Sequence, residues 1–187
     1  GIPRGGVIVA GEIARILHAE LDVVLSRKLG APGNPELAIG AISEDGTLFL
    51  DEDLRRRLSP HNEFAIYVED EREKQYTMIA ESLGRFRSVR PKVPLKGRTV
   101  IITDDGIATG STMQASIWTV RREVPEKIIA AVPVGSIEAL ERTSLEADET
   151  VVLKAPPIFY AVGQFYEYFT QTGDEVFTSG TTSKTVP

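Results

Sequence analysis

The chain has 187 residues, of which 42% are hydrophobic and 26% are charged, and its formal net charge is −6. This length fits one domain with a single core, and the negative charge argues against a general nucleic-acid binder. The absence of cysteine excludes disulfides and thiolate metal sites and is typical of a reducing, cytoplasmic setting, and no apolar run reaches the ~20 residues that a membrane-spanning helix needs.

The start of the chain predicts one helix and one short strand. From about Gly6, apolar residues recur with helical spacing at Val9, Ile13, Ile16 and Leu17. The β-branched run LDVVLSRK, residues 21–28, predicts a strand that ends in two cations. Residues 29–36, LGAPGNPE, have the glycine and proline density of a loop.

Two strands and a long helix are predicted next. Residues 38–50 read as two short strands around a turn at Asp45 and Gly46. Ser59 and Pro60 are typical of a helix cap and first turn, so we expect a helix from there to about Phe86. Its middle, EDEREKQ, is polar all round and is expected to stand in solvent. The basic stretches at 55–57 and 84–98 are interpreted as solvated surface.

The second half alternates regularly between strand and helix patterns. Strands that alternate with helices indicate a parallel sheet covered on both faces. Ligands bind such sheets at the carboxyl ends of the strands, where the loops after Thr103 and Ser26 are expected. The predicted elements are strands at 99–103, 127–134 and 150–153, a helix from Ser111 to Glu123, and a helix from Ser136 with Ile137, Leu140 and Leu145 along one side.

The segment TVIITDDGIATGSTMQA, residues 99–115, carries the most specific pattern. A loop of small residues that leads into a helix directs several backbone N–H groups at one point, with the helix dipole behind them, and this suits a phosphate. The segment is neither a Walker loop nor a dinucleotide fingerprint, because the required glycine and lysine spacings are absent. Asp104 and Asp105 are acceptors suited to sugar hydroxyls or Mg²⁺. Their alternative role is helix capping, for which Thr109 or Ser111 is better placed.

A phosphate cradle beside a pair of acids describes a ribose 5-phosphate site, and here a resemblance becomes specific. The segment resembles the phosphoribosyl pyrophosphate (PRPP) motif of type I phosphoribosyltransferases. Three other stretches resemble parts of that family and occur in the same order. PRGG at 3–6 resembles its pyrophosphate loop, and SRKLGAPG at 26–33 resembles its second loop. FYAVGQFYEYF at 159–169 resembles the hood that covers the base. The resemblance is strongest to bacterial members of undefined acceptor.

The resemblance implies an α/β fold in which a parallel sheet is flanked by helices on both faces, with a small hood. It covers residues 1–176 as one domain, and the polar residues 177–187 are expected to be a disordered tail. In that fold the pyrophosphate loop follows the first, central strand, so this strand is missing from the N-terminus of the given sequence. The family's pyrophosphate loop also implies a cis peptide bond between Pro3 and Arg4.

The activity implied by the resemblance is Mg²⁺-dependent transfer of ribose 5-phosphate from PRPP to a nitrogen acceptor, with release of pyrophosphate. That is a pentosyltransferase, a glycosyltransferase of nucleotide metabolism, expected to be a cytoplasmic homodimer with no membrane or nucleic-acid partner. By the same resemblance Arg4, Asp104, Asp105 and Lys28 are catalytic. The two acids also hold Mg²⁺, directly or through water.

The remaining site residues are implied by the same matches. They are Arg4, Gly5, Gly6, Arg27 and Lys28 for pyrophosphate, Ala108, Thr109, Gly110, Ser111 and Thr112 for the 5-phosphate, and Phe159 and Tyr160 for stacking on the acceptor. At the position of Ala108, family members that use 6-oxopurines carry an aspartate.

Other interpretations stay open. A PRPP-binding regulator that has lost turnover, with a link to nucleic acid through residues 84–98, would keep the same pocket. A PRPP synthetase-like subunit has a similar motif but would need an ATP site. Arg27 and Lys28 fit a strand end in water, and Phe159 and Tyr160 fit a core. His18 and His61 are interpreted as surface residues, and Trp118 as a packing residue.

Overall fold

The computed structural model describes residues 1–51, 56, 62–89 and 91–169. Within these residues none of the helices combines the length and apolar character that crossing a membrane requires. The helices are α1 (Gly5–Leu17), α2 (Asn62–Val89), α3 (Ser111–Arg121) and α4 (Ile137–Glu146), with a short 3₁₀ helix at Val162–Phe165. The strands are β1 (Ser26–Ala31), β2 (Asn34–Ser43), β3 (Leu48–Leu50), β4 (Thr99–Thr103), β5 (Lys127–Val134) and β6 (Glu149–Lys154).

The second half forms the predicted parallel sheet, in the order β4-β5-β6. Each strand is followed by a helix or by the hood, as the alternation of patterns predicts. Helices α3 and α4 bury their apolar side chains against one face of this sheet, and α1 packs on β4. The predicted α/β class is therefore confirmed. The core comprises Ile102, Ile128, Ala130, Val132, Met113, Ile117, Val120, Ala139 and Leu140.

The first half forms a second, antiparallel sheet in the order β1-β2-β3. The predicted loop at 29–36 is wrong, because β1 continues to Ala31 and β2 begins at Asn34. Gly33 has φ +75°, a left-handed conformation that glycine adopts without a steric cost and that allows the tight turn. The strand pairing is favoured because Leu29, which is 0% exposed, lies in the core under α2. Residues 21–25, predicted as strand, are not part of β1.

Helix α2 confirms the predicted long helix, although the proposed cap at Ser59 and Pro60 lies outside the described residues. Its polar middle does not stand wholly in solvent, because Glu71 and Gln75 are half-buried. The stripe of α2 that packs on β1 and β2 consists of the apolar residues Phe64, Val68, Ile79 and Phe86. Glu71 and Gln75 lie in the middle of this stripe, between Val68 and Ile79. Of the basic residues 55–57, only Arg56 is described.

Two helical faces differ from the prediction. In α1 burial is confined to the first two turns, at Gly6, Val7 and Ala10, and Ile16 and Leu17 near its end are exposed. In α4 the buried residues are Ala139, Leu140 and Thr143, and Leu145 is 85% exposed. Helical periodicity identifies a helix, but it does not show which of its turns a neighbouring element covers.

A cluster of charged side chains joins the two halves of the fold. Arg87 at the end of α2 contacts Asp22 at 2.7 Å and Glu44 at 2.8 Å, and its side chain is only 17% exposed. Lys92 contacts Glu44 at 3.0 Å and Glu123, after α3, at 2.9 Å. Partly buried ion pairs of this kind fix geometry, because separating them leaves charges without partners in a poorly solvated place. The cluster therefore fixes the antiparallel sheet relative to the parallel one.

The free edge of β4 faces the segment before β1. The N–H of Ile2 donates to Thr103 O at 2.9 Å, and the N–H of Val24 donates to Gly1 O at 3.1 Å, so the first two residues lie between these two segments. Beside them is a groove of about 490 Å³, lined by both segments and by α1 and α3. Within the described part of the chain no strand lies in this groove.

Candidate active site

The site is built where the carboxyl end of β4 meets the first turn of α1. A Cβ atom at Gly6 would lie 2.5 Å from Thr103 O and 2.7 Å from the Cα of Asp104, and one at Gly5 would overlap the carboxylate of Asp105. Only glycine allows this approach. The peptide bond between Pro3 and Arg4 is cis, as expected. The PRGG and DDG segments, which are distant in the sequence, are thus in direct contact.

Asp104 and Asp105 lie half-buried at this junction. Burial, and after it the charge of Asp105, raise the pKa of Asp104 to about 7, although N–H groups of Asp105 and Gly6 that donate to its carboxylate oppose the shift. Burial also raises the pKa of Asp105. Two carboxylates in a poorly solvated place gain from a cation or from hydroxyl donors, so the pair is suited to bind either.

The small-residue loop ends in an uncapped helix. Gly110 occupies the cap position of α3 with φ +81°, and as a glycine it makes no side-chain hydrogen bond to the first N–H groups of the helix. The expectation that Thr109 or Ser111 caps this helix is therefore wrong. Ala108 and Thr109 are exposed, and the loop is held from behind by Ser136, whose hydroxyl donates to Ala108 O at 2.8 Å. The N-terminus of α3 is therefore suited to an anion.

The two cations of β1 lie on opposite faces of the strand, because neighbouring strand residues alternate in direction. Ser26, on the same face as Lys28, contacts Ser116 of α3 at 3.1 Å. Arg27 lies toward α2 and donates to Gln75. Both cations nevertheless line one cavity of about 310 Å³, which also reaches Pro3 and Thr112. The structure therefore brings the two cations to the same cavity as Thr112, at the start of α3, and Pro3, which precedes Arg4.

The hood segment lies against the acid pair. The hydroxyl of Tyr166 donates to Asp105 O at 2.5 Å, and a Cβ at Gly106 would lie 2.7 Å from Val162, so the packing here is close. The ring of Phe159 lies 5.4 Å from that of Phe165, whereas Tyr160 is 85% exposed. Sequence reasoning missed Tyr166, because nothing in the aromatic-rich segment distinguishes the ring that reaches the strand end.

A metal ion at this site would need ligands from a bound molecule. Within the described ranges no group of three or more His, Cys, Asp or Glu is arranged to hold a metal. Mg²⁺ commonly binds proteins through one or two carboxylates together with substrate phosphates and water. Asp104 and Asp105 fit this donor set.

The contact at Gly6 gives a first prediction. We expect Gly6→Ala to lower the free energy of unfolding by ~1–3 kcal/mol, because the methyl group would collide with backbone atoms that cannot rotate away. Gly11→Ala in the same helix is the matched control, since nothing lies within 4 Å of its Cβ position. It should stabilise the protein by ~0.5–1 kcal/mol. Urea unfolding measures both changes, and equal effects of the two substitutions would contradict the contact.

The raised pKa of Asp104 gives a second prediction. Its value of about 7, against 3.8 for the free side chain, means that the folded protein holds this proton more tightly. Between about pH 4 and pH 7 the unfolded state binds fewer protons, so stability should fall as pH rises through this window. Asp104→Asn removes this titration. The free energy of unfolding of the variant minus that of wild type should therefore rise by ~2–4 kcal/mol between pH 4 and pH 8. Urea unfolding in EDTA tests this, and parallel profiles would refute it.

Comparison with known proteins agrees with the geometry. A sequence profile described as "Phosphoribosyl transferase domain" matches residues 1–170. Two Mycobacterium tuberculosis proteins, of strains CDC 1551 / Oshkosh and ATCC 25618 / H37Rv, are both named "Putative phosphoribosyl transferase" and are 46% identical over 175 residues, which is 94% of this chain. The chain spans 39% of the length of these relatives.

A solved structure has the same fold. The crystal structure of TT1426 from Thermus thermophilus superposes on this structure with a TM-score of 0.87, and the two sequences are 47% identical. The match covers 94% of this chain and 81% of the TT1426 chain. The resemblance predicted from the four motifs is thus confirmed. This chain belongs to the phosphoribosyl transferase family.

Proposed function

We propose that the protein is a Mg²⁺-dependent phosphoribosyltransferase, which binds PRPP and transfers its ribose 5-phosphate to a nitrogen atom of a small acceptor. The observation that supports this most strongly is the contact between the acid pair after β4 and the glycine turn of α1 at the carboxyl end of the parallel sheet. The small-residue loop that follows the acids leads directly into the N-terminus of α3, so all three features belong to this end of the sheet. Each suits a different part of one phosphorylated sugar.

The 5-phosphate would bind at the loop of residues 108–112. Its small side chains allow a phosphate to approach the backbone, and the dipole of α3 favours a negative charge there. The hydroxyls of Thr109 and Thr112 are further donors on exposed side chains. Because Ser136 holds the loop through Ala108 O, the loop is fixed before the ligand arrives.

The ribose hydroxyls would donate to Asp104 and Asp105, which also fit Mg²⁺, directly or through water. When bound, Mg²⁺ would neutralise charge on the pyrophosphate. The carboxylates face a ring that becomes positively charged as the bond from C1 to the pyrophosphate oxygen breaks and the bond from C1 to nitrogen forms. Stabilisation of that charge by fixed groups is the largest effect that such a site offers.

The departing pyrophosphate would be held by Arg4, Arg27 and Lys28 with the N–H of Gly5. In this structure the N–H of Gly6 donates to Asp104. Gly6 could therefore donate to pyrophosphate only after its hydrogen bond to Asp104 is broken. The acceptor would lie beneath the hood, where the exposed ring of Tyr160 is accessible for stacking and Phe159 already packs on Phe165.

Binding of PRPP gives a third prediction. At a PRPP concentration about 100 times its Kd, with Mg²⁺, the folded state should gain ~2.7 kcal/mol, measurable as a rise in Tm. Asp104→Asn with Asp105→Asn should remove this gain without unfolding the protein, because each lost charged hydrogen bond weakens binding roughly ten- to hundredfold.

The control is Asp70→Asn, because Asp70 is an exposed carboxylate on α2. This substitution should leave the rise in Tm unchanged. Equal binding of PRPP by wild type and the double variant would refute the assignment. Binding of PRPP without release of its pyrophosphate in the presence of any acceptor would instead favour the PRPP-binding regulator, and salt-dependent binding of nucleic acid would support that alternative.

The exposed methyl group of Ala108 gives a fourth prediction, about the acceptor. An aspartate here could take a proton from a purine ring, and neither Ile107 nor Thr109 is a base near neutral pH. General base assistance contributes ~10²–10⁴-fold where it operates, so we expect poor turnover of hypoxanthine and guanine. Adenine, a pyrimidine or another amine should be preferred. Steady-state kinetics across these acceptors is the measurement, and the highest kcat/KM for hypoxanthine or guanine would contradict this role of Ala108.

A further inference from the structure

Arg27 is held by a short chain of hydrogen bonds that starts on helix α2. The amide nitrogen of Gln75 donates to Glu71 Oε1 at 2.7 Å, and Arg27 Nε donates to Gln75 Oε1 at 2.7 Å. Glu71 and Gln75 are four residues apart, so both lie on the helix face that packs on β1. The three side chains form one continuous path from α2 to β1.

The order of donors and acceptors in this path is fixed by chemistry. A carboxylate only accepts, so Glu71 requires the NH₂ group of Gln75 on its side. This turns the Gln75 carbonyl oxygen toward Arg27. The Glu71 side chain is 17% exposed and is also paired with Lys74 at 3.3 Å, which keeps it in place. The orientation of Gln75 is therefore set from the helix.

The contact to Arg27 is made through Nε rather than through the terminal nitrogens. The two terminal nitrogens can still donate in parallel to one phosphate group. Arg27, Lys28 and Gln75 line the 310 Å³ cavity that reaches Pro3 and Thr112. Arg27 is exposed, and without Gln75 its long side chain would lose more conformational freedom on binding an anion.

We propose that Gln75 is a positioning residue, which orients Arg27 toward the pyrophosphate of PRPP and is itself oriented by Glu71. The inference rests on the proposed function, because it needs pyrophosphate as the group that Arg27 meets. It assigns to the polar middle of α2 a role in substrate binding. Gln75 acts through Arg27 alone and does not touch the ligand.

A double-mutant cycle tests this, with the Kd for PRPP in Mg²⁺ measured by calorimetry. Gln75→Leu should weaken binding about three- to tenfold, the loss of one partly solvated hydrogen bond to a charged group. Arg27→Leu should weaken it at least as much. Adding Gln75→Leu to Arg27→Leu should cause no further loss, because the two residues act as one unit. A merely structural role for Gln75 would give additive losses.

An exchange variant provides the rescue. Glu71→Gln combined with Gln75→Glu keeps an acceptor for Arg27 and restores the hydrogen bond between the two helix residues, so its Kd should return to near the wild-type value. Thr77→Leu is the control on the same helix, since the exposed Thr77 hydroxyl donates to Glu73 O in its own helix. It should leave the Kd unchanged.

The possible results separate the two proposals. If Arg27→Leu weakens binding but Gln75→Leu does not, or if Gln75→Leu tightens it, the positioning role is overturned and the proposed function stands. Additive losses in the cycle, or failure of the exchange variant to restore the Kd, also overturn it. If the wild-type protein binds no PRPP, the proposed function fails, and this inference fails with it.

Discussion

Helix α3 is wedged between the two sheets, and the rest of the structure depends on this packing. Met113 and Ile117 enter the core of the parallel sheet, while Ala115 and Trp118 contact β2 in the antiparallel one. From Met113 to Val120 only Gln114 is not fully buried. A helix buried on opposite sides has a fixed position along its axis, and this sets where its uncapped N-terminus stands. Thr112 in the first turn of α3 thereby lines the same cavity as the cations of β1.

A second constraint acts at the other side of the site. The first turn of α1 can approach the end of β4 only because Gly5 and Gly6 lack a Cβ atom. The approach removes water from Asp104, and the resulting rise in its pKa shows the electrostatic cost of placing two acids there. A bound cation or sugar would offset that cost. The same glycines that allow the fold therefore prepare the acid pair for a ligand.

The remaining parts of the fold are attached to this rigid centre by polar side-chain contacts. Arg87 holds the antiparallel sheet to the segment before β1 through Asp22 and Glu44. Tyr166 ties the hood to Asp105 O, and Gln75 ties Arg27 to α2. A ligand between the two sheets would meet acids and a phosphate loop from one sheet and cations from the other. Its affinity would then depend on contacts that lie far from the strand ends.

The sequence by itself determined the βα alternation from residue 99 onward, the family, and the places of the acid pair and the small-residue loop on which the proposed function rests. These features are local, because hydrophobic periodicity and a motif of adjacent residues are set by neighbours along the chain. The tertiary structure alone decided that 29–36 is a hairpin, that Gly110 rather than Thr109 or Ser111 occupies the cap position of α3, and that Arg27 meets Gln75. Each depends on packing or hydrogen bonding between segments distant in sequence, which no local pattern specifies.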